Sequence, residues 1–295
     1  MPRRTIEHRA SKTAAYTCFS RACASREKDP RFRGPDDMAE IFLPLSARRI
    51  VNAPLLRRLF MYKLAPTGMN EYVLARTKVF DKVFTQALES DVAQIVLLGA
   101  GFDTRALRYA KRNRGTKVFE LDVPTTQAPK LDILRRKGVV LPEELVFVSI
   151  NFNTQSLSEA LFRAGYEKGA KSLFLWEGVT MYLTAEAVDA TLDFIHDGAA
   201  QGSSIAFDYI YTSVLRGENK LYGEKEIFET VSRAGEGWTF GLEQGEVEQF
   251  LDERGFRIAV HYTPSELEAL FLRAEDGTMF GRVNGTHCIA IASVK

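Results

Sequence analysis

The stretch Ile95-Val-Leu-Leu-Gly-Ala-Gly-Phe-Asp-Thr-Arg105 decides the fold class of this chain. Its first four residues form a continuous apolar run, which is typical of a strand buried on both faces in a parallel sheet. Gly99 and Gly101 carry no Cβ, so the backbone can turn sharply there and approach a ligand closely. A helix can follow from Thr104. The stretch therefore predicts a strand, a glycine turn and a helix, with a ligand at the carboxyl end of the strand.

Position 104 narrows the choice of ligand. A complete dinucleotide fingerprint would place a third glycine there, whereas this chain has Thr104. The difference counts against a nicotinamide or flavin cofactor and leaves other nucleoside-bearing ligands open. A glycine pair after a strand also occurs as a plain structural turn, so the pair alone does not establish a ligand site.

Length and composition are those of an ordinary globular protein. The chain has 295 residues, 45% of them apolar and 26% charged, which is enough to bury a sizeable core as one large domain or as one domain with a cap. The net charge of +1 gives no overall field that would favour nucleic acid or an anionic membrane. No segment approaches the ~20 apolar residues that span a bilayer. We therefore expect a cytoplasmic protein that binds neither nucleic acid nor a membrane. The sequence leaves its oligomeric state open.

The cysteines and histidines favour neither a disulfide framework nor a metal site. Cys18, Cys23 and Cys288 are odd in number and sparse, which indicates a reducing compartment. The four histidines are scattered, and none lies at metal-ligand spacing from a cysteine or another histidine. We expect no metal.

The order of the elements predicts a doubly wound, seven-stranded, mainly parallel α/β sheet of Rossmann-like type. Strands are predicted over residues 95–98, 117–121, 145–150, 172–176, 204–207, 256–262 and 286–293, and helical patterns separate most of them. The last two strands are predicted to form an antiparallel edge pair joined by a loop. We divide the chain into a helical cap, a main domain and a lid insertion after the fifth strand, at residues 1–90, 91–295 and about 209–240.

Acid or amide side chains follow three successive predicted strands. Asp122 ends the second strand, Asn151 follows the third and Glu177 follows the fourth. A carboxylate at the position of Asp122 can accept hydrogen bonds from two ribose hydroxyls, and the Asn151 amide can accept from an exocyclic amine. A helix N-cap and an Asx turn are the ordinary structural alternatives for these two. Glu177, directly after a buried strand, is poorly placed unless it faces the ligand crevice.

Arg76 lies in a helix predicted over residues 70–88, before the first strand. An arginine can hold a carboxylate through two parallel hydrogen bonds. A solvated helix face explains a single arginine equally well, so Arg76 alone indicates no site.

Four short motifs carry a family resemblance. They are Leu98-Gly-Ala-Gly-Phe-Asp-Thr-Arg105, Phe119-Glu-Leu-Asp122, Trp176-Glu-Gly-Val-Thr-Met-Tyr-Leu183 and Leu74-Ala-Arg76. In combination they resemble the leucine carboxyl methyltransferase family and its bacterial relatives, which include polyketide carboxyl O-methyltransferases. The resemblance covers about residues 70–192, with a looser similarity over 11–43 and 250–292. It implies the class I methyltransferase fold, with S-adenosylmethionine (SAM) as cofactor and S-adenosylhomocysteine as product.

The resemblance also implies which residues lie close to the cofactor and hold its ribose. The turn formed by Gly99, Ala100 and Gly101 would pass close to SAM, and Asp122 would hold the ribose. These are the positions that match the family's motifs most closely in this chain.

The adenine and methionine ends of SAM would meet other residues. The resemblance places Asn151 and Phe152 around the adenine, Glu177 near the methionine moiety and Arg76 on the methionine carboxylate. The family usually has aspartate where this chain has Asn151. A neutral amide oxygen accepts from the adenine amine without charge assistance, so weaker cofactor binding is expected.

Methyl transfer from a sulfonium to a carboxylate requires no general base, because a carboxylate is already ionised at pH 7. The site then has to align the reacting atoms and exclude water. Tyr182 is our candidate for contacting the acceptor, with a core tyrosine as the alternative. A phenol or alcohol acceptor would instead require a base, either His261 or a lid tyrosine.

The predicted lid is rich in aromatic side chains that could cover a planar or apolar acceptor. They could equally be ordinary packing residues: Tyr209, Tyr211, Tyr222, Phe228, Trp238 and Phe240. A small aromatic or polyketide-like acid suits them better than a protein C-terminus, and the sequence does not decide between the two.

Two other functions are compatible with the same sheet. An NAD-dependent oxidoreductase is disfavoured by Thr104 and by the acid after the fourth strand. A catalytically silent SAM-binding protein that acts through partners would bind the cofactor without turnover. The favoured prediction is a SAM-dependent O-methyltransferase that esterifies a small-molecule carboxylate.

Overall fold

The computed structural model describes residues 12–151, 155–234 and 237–295. Its seven strands are β1 Gln94–Leu98, β2 Lys117–Asp122, β3 Leu145–Ser149, β4 Ser172–Trp176, β5 Ser204–Ile210, β6 Phe256–Tyr262 and β7 His287–Val294. Its α-helices are α1 Lys12–Ser25, α2 Leu45–Asn52, α3 Pro54–Leu59, α4 Met69–Leu88, α5 Arg105–Arg108, α6 Pro124–Arg136, α7 Leu157–Arg163, α8 Ala185–Gly198, α9 Thr212–Leu215, α10 Glu224–Ala234, α11 Val247–Asp252 and α12 Pro264–Phe271. Short 3₁₀ turns occur at Ala39–Phe42, Ala110–Arg112 and Thr180–Tyr182, and a π-helical turn at Phe60–Leu64.

The strands form one seven-stranded sheet in the order β3-β2-β1-β4-β5-β7-β6. The first five strands are parallel, and β7 runs antiparallel between β5 and β6. All five residues of β1 are buried, as its unbroken apolar run predicts for a central strand covered on both faces. The predicted fold class is confirmed.

The two faces of the sheet are covered by different helices. Side chains of α7, α8 and α11 pack on one face, and α4 packs on the other. Helix α4 buries Tyr72, Phe80 and Phe84 against the sheet, so it belongs to the same hydrophobic core as β1. The division of the chain at residue 90 stays a prediction.

Two details of the predicted elements are wrong. Strand β5 continues to Ile210, so Tyr209 lies in the sheet rather than in the following insertion. The connection between β6 and β7 is not merely a loop, because it contains α12. Thr263 and Glu266 form a capping box at the start of this helix, with Pro264 in its first turn. That local signal was present in the sequence.

The segment 209–240 folds back onto the carboxyl edge of the sheet. Its α10 begins at Glu224, whose buried carboxylate accepts backbone N–H groups of Asn219, Lys220 and Leu221 at 2.8–2.9 Å. After α10, the Thr239 N–H donates to the carbonyl oxygen of Met181 at 2.7 Å. The segment is therefore attached next to the 3₁₀ turn that follows β4.

Within the described residues, no helix is both long and apolar enough to cross a membrane.

We expect Glu224→Gln to lower the free energy of unfolding by ~1.5–3 kcal/mol, because an amide has one acceptor oxygen and places an NH₂ group against backbone donors. Glu226→Gln is the matched control, since Glu226 is exposed two residues further along the same first turn and should change stability by less than ~0.5 kcal/mol. Guanidinium titration followed by circular dichroism measures both. Equal effects of the two substitutions would contradict the role of the Glu224 carboxylate.

Candidate active site

The glycine turn lies at the carboxyl end of β1, as predicted. Gly99 and Gly101 both have positive φ, 68° and 52°. A Cβ on Gly99 would lie 2.6 Å from the Val179 Cγ2, so no side chain fits there. The N–H of Ala100 donates to the Leu121 carbonyl oxygen at 2.8 Å, which ties the turn to β2. The turn is therefore tied to β2 and packed against Val179, and Ala100 carries the side chain between its two glycines.

Asp122 is locked beside this turn. Its Oδ2 accepts the N–H of Gly101 at 2.5 Å, and its Oδ1 accepts the N–H of Val123 at 2.7 Å. Burial raises the pKa of Asp122 above its ordinary value, and the two backbone donors act in the opposite direction. Each carboxylate oxygen keeps a lone pair for a further donor. The arrangement suits a pair of ribose hydroxyls.

Asn151 lies next to Asp122 at the end of β3. The N–H of Ile150 donates to the Asp122 carbonyl oxygen at 3.0 Å, which holds the two strand ends together. The backbone of Asn151 closes a turn with Gln155, since its N–H donates to Gln155 Oε1 at 2.8 Å and its carbonyl oxygen accepts the Gln155 N–H at 2.9 Å. Phe152 lies outside the described residues. The role of both residues in holding adenine stays a prediction.

Glu177 lies between two buried arginines. Its Oε1 is 2.9 Å from Arg76 Nε, and its Oε2 is 2.7 Å from Arg105 Nη1. Although these are ion-pair distances, neither Glu177 oxygen accepts a well-aligned hydrogen bond from a described residue. A buried carboxylate with unfilled acceptor positions is costly unless a donor arrives. The ammonium group of an amino-acid moiety is a donor of the right charge.

Arg76 is a buried residue of α4, so the alternative of a solvated helix face does not hold. Its Nη1 donates to Asp208 Oδ2 at 2.8 Å, and the same oxygen accepts the Tyr72 hydroxyl at 2.8 Å. The other oxygen of Asp208 accepts the N–H of Gly178 at 2.6 Å. Two protein carboxylates therefore share the Arg76 charge. Its predicted contact with the methionine carboxylate stays a prediction.

Asp208 is a functional candidate that the sequence analysis did not select. It is fully buried in β5 and joins α4 to the loop after β4. Its partner Arg76 is 132 residues away in the chain, so spacing could not reveal the pair. The acid at the end of a fifth apolar strand was the available signal.

A second layer of charges extends behind Arg105. Its Nε contacts Asp81 at 2.7 Å and its Nη1 contacts Asp103 at 2.5 Å. Burial alone would raise the pKa of Asp103, but Arg105 and Lys130 outweigh it and lower the pKa to about 2. Asp103 and Arg105 both stand in the first family motif, and the sequence analysis gave neither a role.

Tyr182 lies in the 3₁₀ turn after β4 and faces the start of α1. Its hydroxyl donates to Thr13 Oγ1 at 3.3 Å. The neighbouring Ala14 lies over the glycine turn, because a Cβ on Gly101 would be 3.6 Å from the Ala14 Cβ. Tyr182 is thus partly buried between the site and α1 rather than in the core. Its contact with an acceptor stays a prediction.

His287 and Trp238 lie on the β7 side of Arg76. The His287 ring is 4.5 Å from the Tyr72 ring and 5.4 Å from the Trp238 ring, centroid to centroid. Burial, together with the charge of Arg76, lowers the pKa of His287 to about 3. Trp238 Nε1 is buried, and no described residue accepts its hydrogen.

The base candidates of the sequence analysis lie elsewhere. His261 contacts the Tyr209 hydroxyl at 2.9 Å on β6, and burial lowers its pKa. Three of the six lid aromatics, Tyr209, Tyr211 and Phe240, are buried in the hydrophobic core, which corrects their assignment to an acceptor pocket. Two others lie on the surface of the segment: Phe228 is 39% exposed and Tyr222 packs under Arg282. Trp238 is the aromatic of this group that contacts the site.

The residues present fit SAM. The turn has no side chain at Gly99, which suits a close approach of the ligand. The fixed carboxylate of Asp122 suits the two ribose hydroxyls. The Glu177 oxygens, which accept no aligned hydrogen bond, suit an ammonium group. In the described ranges, no group of three or more His, Cys, Asp or Glu side chains is arranged to hold a metal ion.

We expect Asp122→Ala to lower SAM affinity on the order of tenfold or more, because it removes charge-assisted hydrogen bonds worth ~1.5–3 kcal/mol each. Isothermal titration calorimetry measures the dissociation constant, and circular dichroism confirms that the fold is kept. Asp132→Ala, an exposed acid on α6, is the matched control and should bind SAM as the native chain does. Unchanged affinity in Asp122→Ala would refute the assignment.

Comparison with known proteins agrees with this geometry. The family model for leucine carboxyl methyltransferase matches residues 14–196. The chain is 28% identical over 247 residues to the Bacillus subtilis protein named "Putative S-adenosyl-L-methionine-dependent methyltransferase YktD", over 82% of this chain and 79% of that one. A Streptomyces coelicolor protein named in the same way is 35% identical over 198 residues, which covers 65% of this chain and 66% of the relative.

Solved structures share the fold at low sequence identity. A crystal structure of a Bordetella parapertussis protein superposes with a TM-score of 0.51 at 12% identity, over 95% of this chain and 96% of that one. The magnesium protoporphyrin IX methyltransferase of Synechocystis PCC 6803, with S-adenosylhomocysteine bound, gives 0.48 at 10% identity over 85% and 98%. Because the family model spans the glycine turn, Asp122 and Glu177, this chain belongs to the leucine carboxyl methyltransferase family of SAM-dependent methyltransferases.

Proposed function

We propose that this methyltransferase esterifies a carboxylate of a small organic acid. When bound, SAM would supply an electrophilic methyl group: a carboxylate oxygen of the acceptor would bond to the methyl carbon as the methyl–sulfur bond opposite breaks, and S-adenosylhomocysteine would leave. The protein then has to hold both partners in alignment and keep water away from them. The family name also refers to a carboxyl acceptor, which supports the choice of atom.

The observation that carries the proposal is the state of the histidine beside the site. His287, with a pKa of about 3, is neutral at physiological pH and far too weak a base to take a proton from a phenol. The other two described histidines are remote: His261 contacts Tyr209, and His196 packs against Gly255 at the opposite edge of the sheet. An acceptor that arrives already ionised needs none of them.

The other ionisable groups at the site are also unsuited to act as bases. Glu177 and Asp208 are both engaged in ion pairs with Arg76. Burial raises the pKa of Tyr209 and of Tyr211 well above the ordinary value, so neither is a phenolate at neutral pH. The electrostatics therefore favour a carboxylate acceptor over a phenol or an alcohol.

Trp238 supplies a hydrogen-bond donor for an oxygen atom of the methyl acceptor. Its Nε1 is buried without an acceptor, and a buried N–H in this condition costs ~1–3 kcal/mol. The indole ring of Trp238 packs against the His287 ring. The next residue, Thr239, donates a backbone hydrogen bond to the turn that carries Tyr182. A small, partly apolar acid suits this lining.

A panel of small acids and phenols tests the function. Benzoate, salicylate methyl ether and short-chain fatty acids, each with SAM, should include an acid that gains one methyl group by mass spectrometry. The single-turnover rate with a methylated acid should stay flat from about pH 6 to 8, because a carboxylic acid with a pKa near ~4 is fully ionised there and His287 does not titrate in that window. Methylation of phenols alone, with a rate that climbs over the same range, would overturn the carboxylate proposal.

Trp238→Phe should reduce kcat/KM for the methylated acid on the order of tenfold or more, since a hydrogen bond to a charged acceptor contributes ~1.5–3 kcal/mol. The affinity for SAM and the stability without acceptor should not fall, because the substitution removes an unsatisfied donor and keeps an aromatic ring. Tyr222→Phe, on the same segment but packed under Arg282, should leave kcat/KM unchanged. Parallel losses of stability and SAM affinity in Trp238→Phe would show that Trp238 is a packing residue.

A further inference from the structure

We propose that the outward side of residues 45–64 is a docking surface for an anionic lipid membrane. This basic apolar patch is formed by α2, α3 and the π-helical turn after α3. It is separate from the site described above. The proposal departs from our expectation of no attraction to a membrane, which rested on the net charge of +1 of the whole chain.

The patch concentrates exposed apolar side chains. Thirteen large hydrophobic side chains are exposed in the described residues, and six of them fall within these twenty positions. They are Leu45, Leu55, Leu56, Leu59, Tyr62 and Leu64, and Leu55 is 85% exposed. Single exposed leucines are ordinary, but a cluster of this kind marks a surface that meets another apolar phase.

The same segment is strongly basic. It contains Arg48, Arg49, Arg57, Arg58 and Lys63, and no acid occurs between Glu40 and Glu71. Two of the five hold backbone carbonyl oxygens: Arg48 Nε donates to Leu43 at 2.9 Å, and Arg57 Nη1 donates to Val51 at 2.7 Å. In the ranges that the structure describes, none of the five forms an ion pair with a carboxylate. The local potential is therefore positive although the whole chain is almost neutral.

Helical geometry puts both kinds of side chain on one face. Leu55, Leu59 and Tyr62 recur at intervals of four and three residues, and Arg58 stands beside Leu59 on the exposed side. The opposite side is anchored. The Phe60 ring lies 5.9 Å from the Phe19 ring of α1, centroid to centroid. The outward face is thus presented by a fixed helix rather than by a loose tail.

Further anchoring links the patch to the site helix. The Met61 carbonyl oxygen accepts Asn70 Nδ2 at 2.6 Å, and Asn70 Oδ1 accepts the Ser20 hydroxyl at 2.8 Å. Asn70 lies in α4, the helix that carries Arg76. A surface bound at the patch would therefore lie close to the elements that form the active site.

An anionic bilayer fits this face better than a second copy of the chain. A two-fold contact through this face would bring two basic patches together, and residues 45–64 hold no acid that could pair with the partner's cations. Leu55 and its neighbours protrude from a convex helix, so they suit insertion between lipid headgroups. The exposed cations Arg49, Arg58 and Lys63 would lie at the height of anionic phosphates. Interleaved leucines and cations are the composition of helices that lie in a membrane interface.

Sedimentation with vesicles tests the proposal. The full chain should bind vesicles of phosphatidylcholine with 30% phosphatidylglycerol on the order of tenfold more strongly than vesicles of phosphatidylcholine alone, and 0.5 M salt should weaken the binding. Leu55→Ser/Leu59→Ser and, separately, Arg49→Gln/Arg58→Gln/Lys63→Gln should each reduce binding at least fivefold. Val140→Ser/Leu141→Ser removes an exposed apolar pair outside the patch and should change nothing.

Each alternative occupant gives a different result. A native chain that is dimeric by light scattering and becomes monomeric in Leu55→Ser/Leu59→Ser would assign the patch to a second copy and overturn the proposal. Retention on immobilised polyglutamate with no binding to either vesicle would assign it to an acidic protein and overturn it as well. Equal binding to both vesicle types would show that anionic lipid is not required and would overturn the proposal of an anionic membrane. An unchanged thermal shift by SAM in every variant confirms that loss of binding is not loss of fold.

Discussion

The placement of Glu177 between Arg76 and Arg105 is the arrangement on which the rest of the site depends. These three side chains come from the loop after β4, from α4 and from α5, and each arginine has a nitrogen within 2.9 Å of a Glu177 oxygen. Asp208 extends the arrangement to β5, and Asp81 extends it back to α4. Removing one member of such a buried set leaves an uncompensated charge, which costs ~3–5 kcal/mol. The elements that form the site are thereby held in one geometry.

Stability alone does not explain this set of charges, because well-packed apolar residues often stabilise a protein interior as much as buried ion pairs do. What apolar residues cannot provide is an unfilled acceptor. Both oxygens of Glu177 are held in place at ion-pair distance yet lack aligned hydrogen bonds. For a carboxylate fixed in this way, the free-energy cost of orienting the group arises during folding rather than during ligand binding. We therefore interpret the two arginines as the means by which the Glu177 carboxylate is held in a fixed, buried position.

The sequence predicted the parts of the structure that depend on local pattern. All seven strands follow from apolar runs, and the proximity of Asp122 to the turn at Gly101 follows from the way parallel strands end at one edge. The helix α12 was missed although its capping box is local. Asp208 and His287 were not selected, because their importance arises from contacts with α4 more than a hundred residues away. Trp238 was named only as one of the lid aromatics, and its contact with His287 was not predicted. The lid tyrosines were misassigned because β5 is longer than its apolar run.

Burial decides which charges of this protein are paired and which stay available. In the interior, the cost of desolvation forces every guanidinium to find a carboxylate, so Arg76 and Arg105 are neutralised by acids far away in sequence. The same cost keeps His287 uncharged beside Arg76. On the surface no such cost applies, and Arg58 and Lys63 are exposed and form no ion pair with an acid in the part of the chain that the structure describes. A net charge near zero therefore conceals two opposite conditions: an interior whose cations are already balanced, and an outer helix whose cations can still attract an external anion.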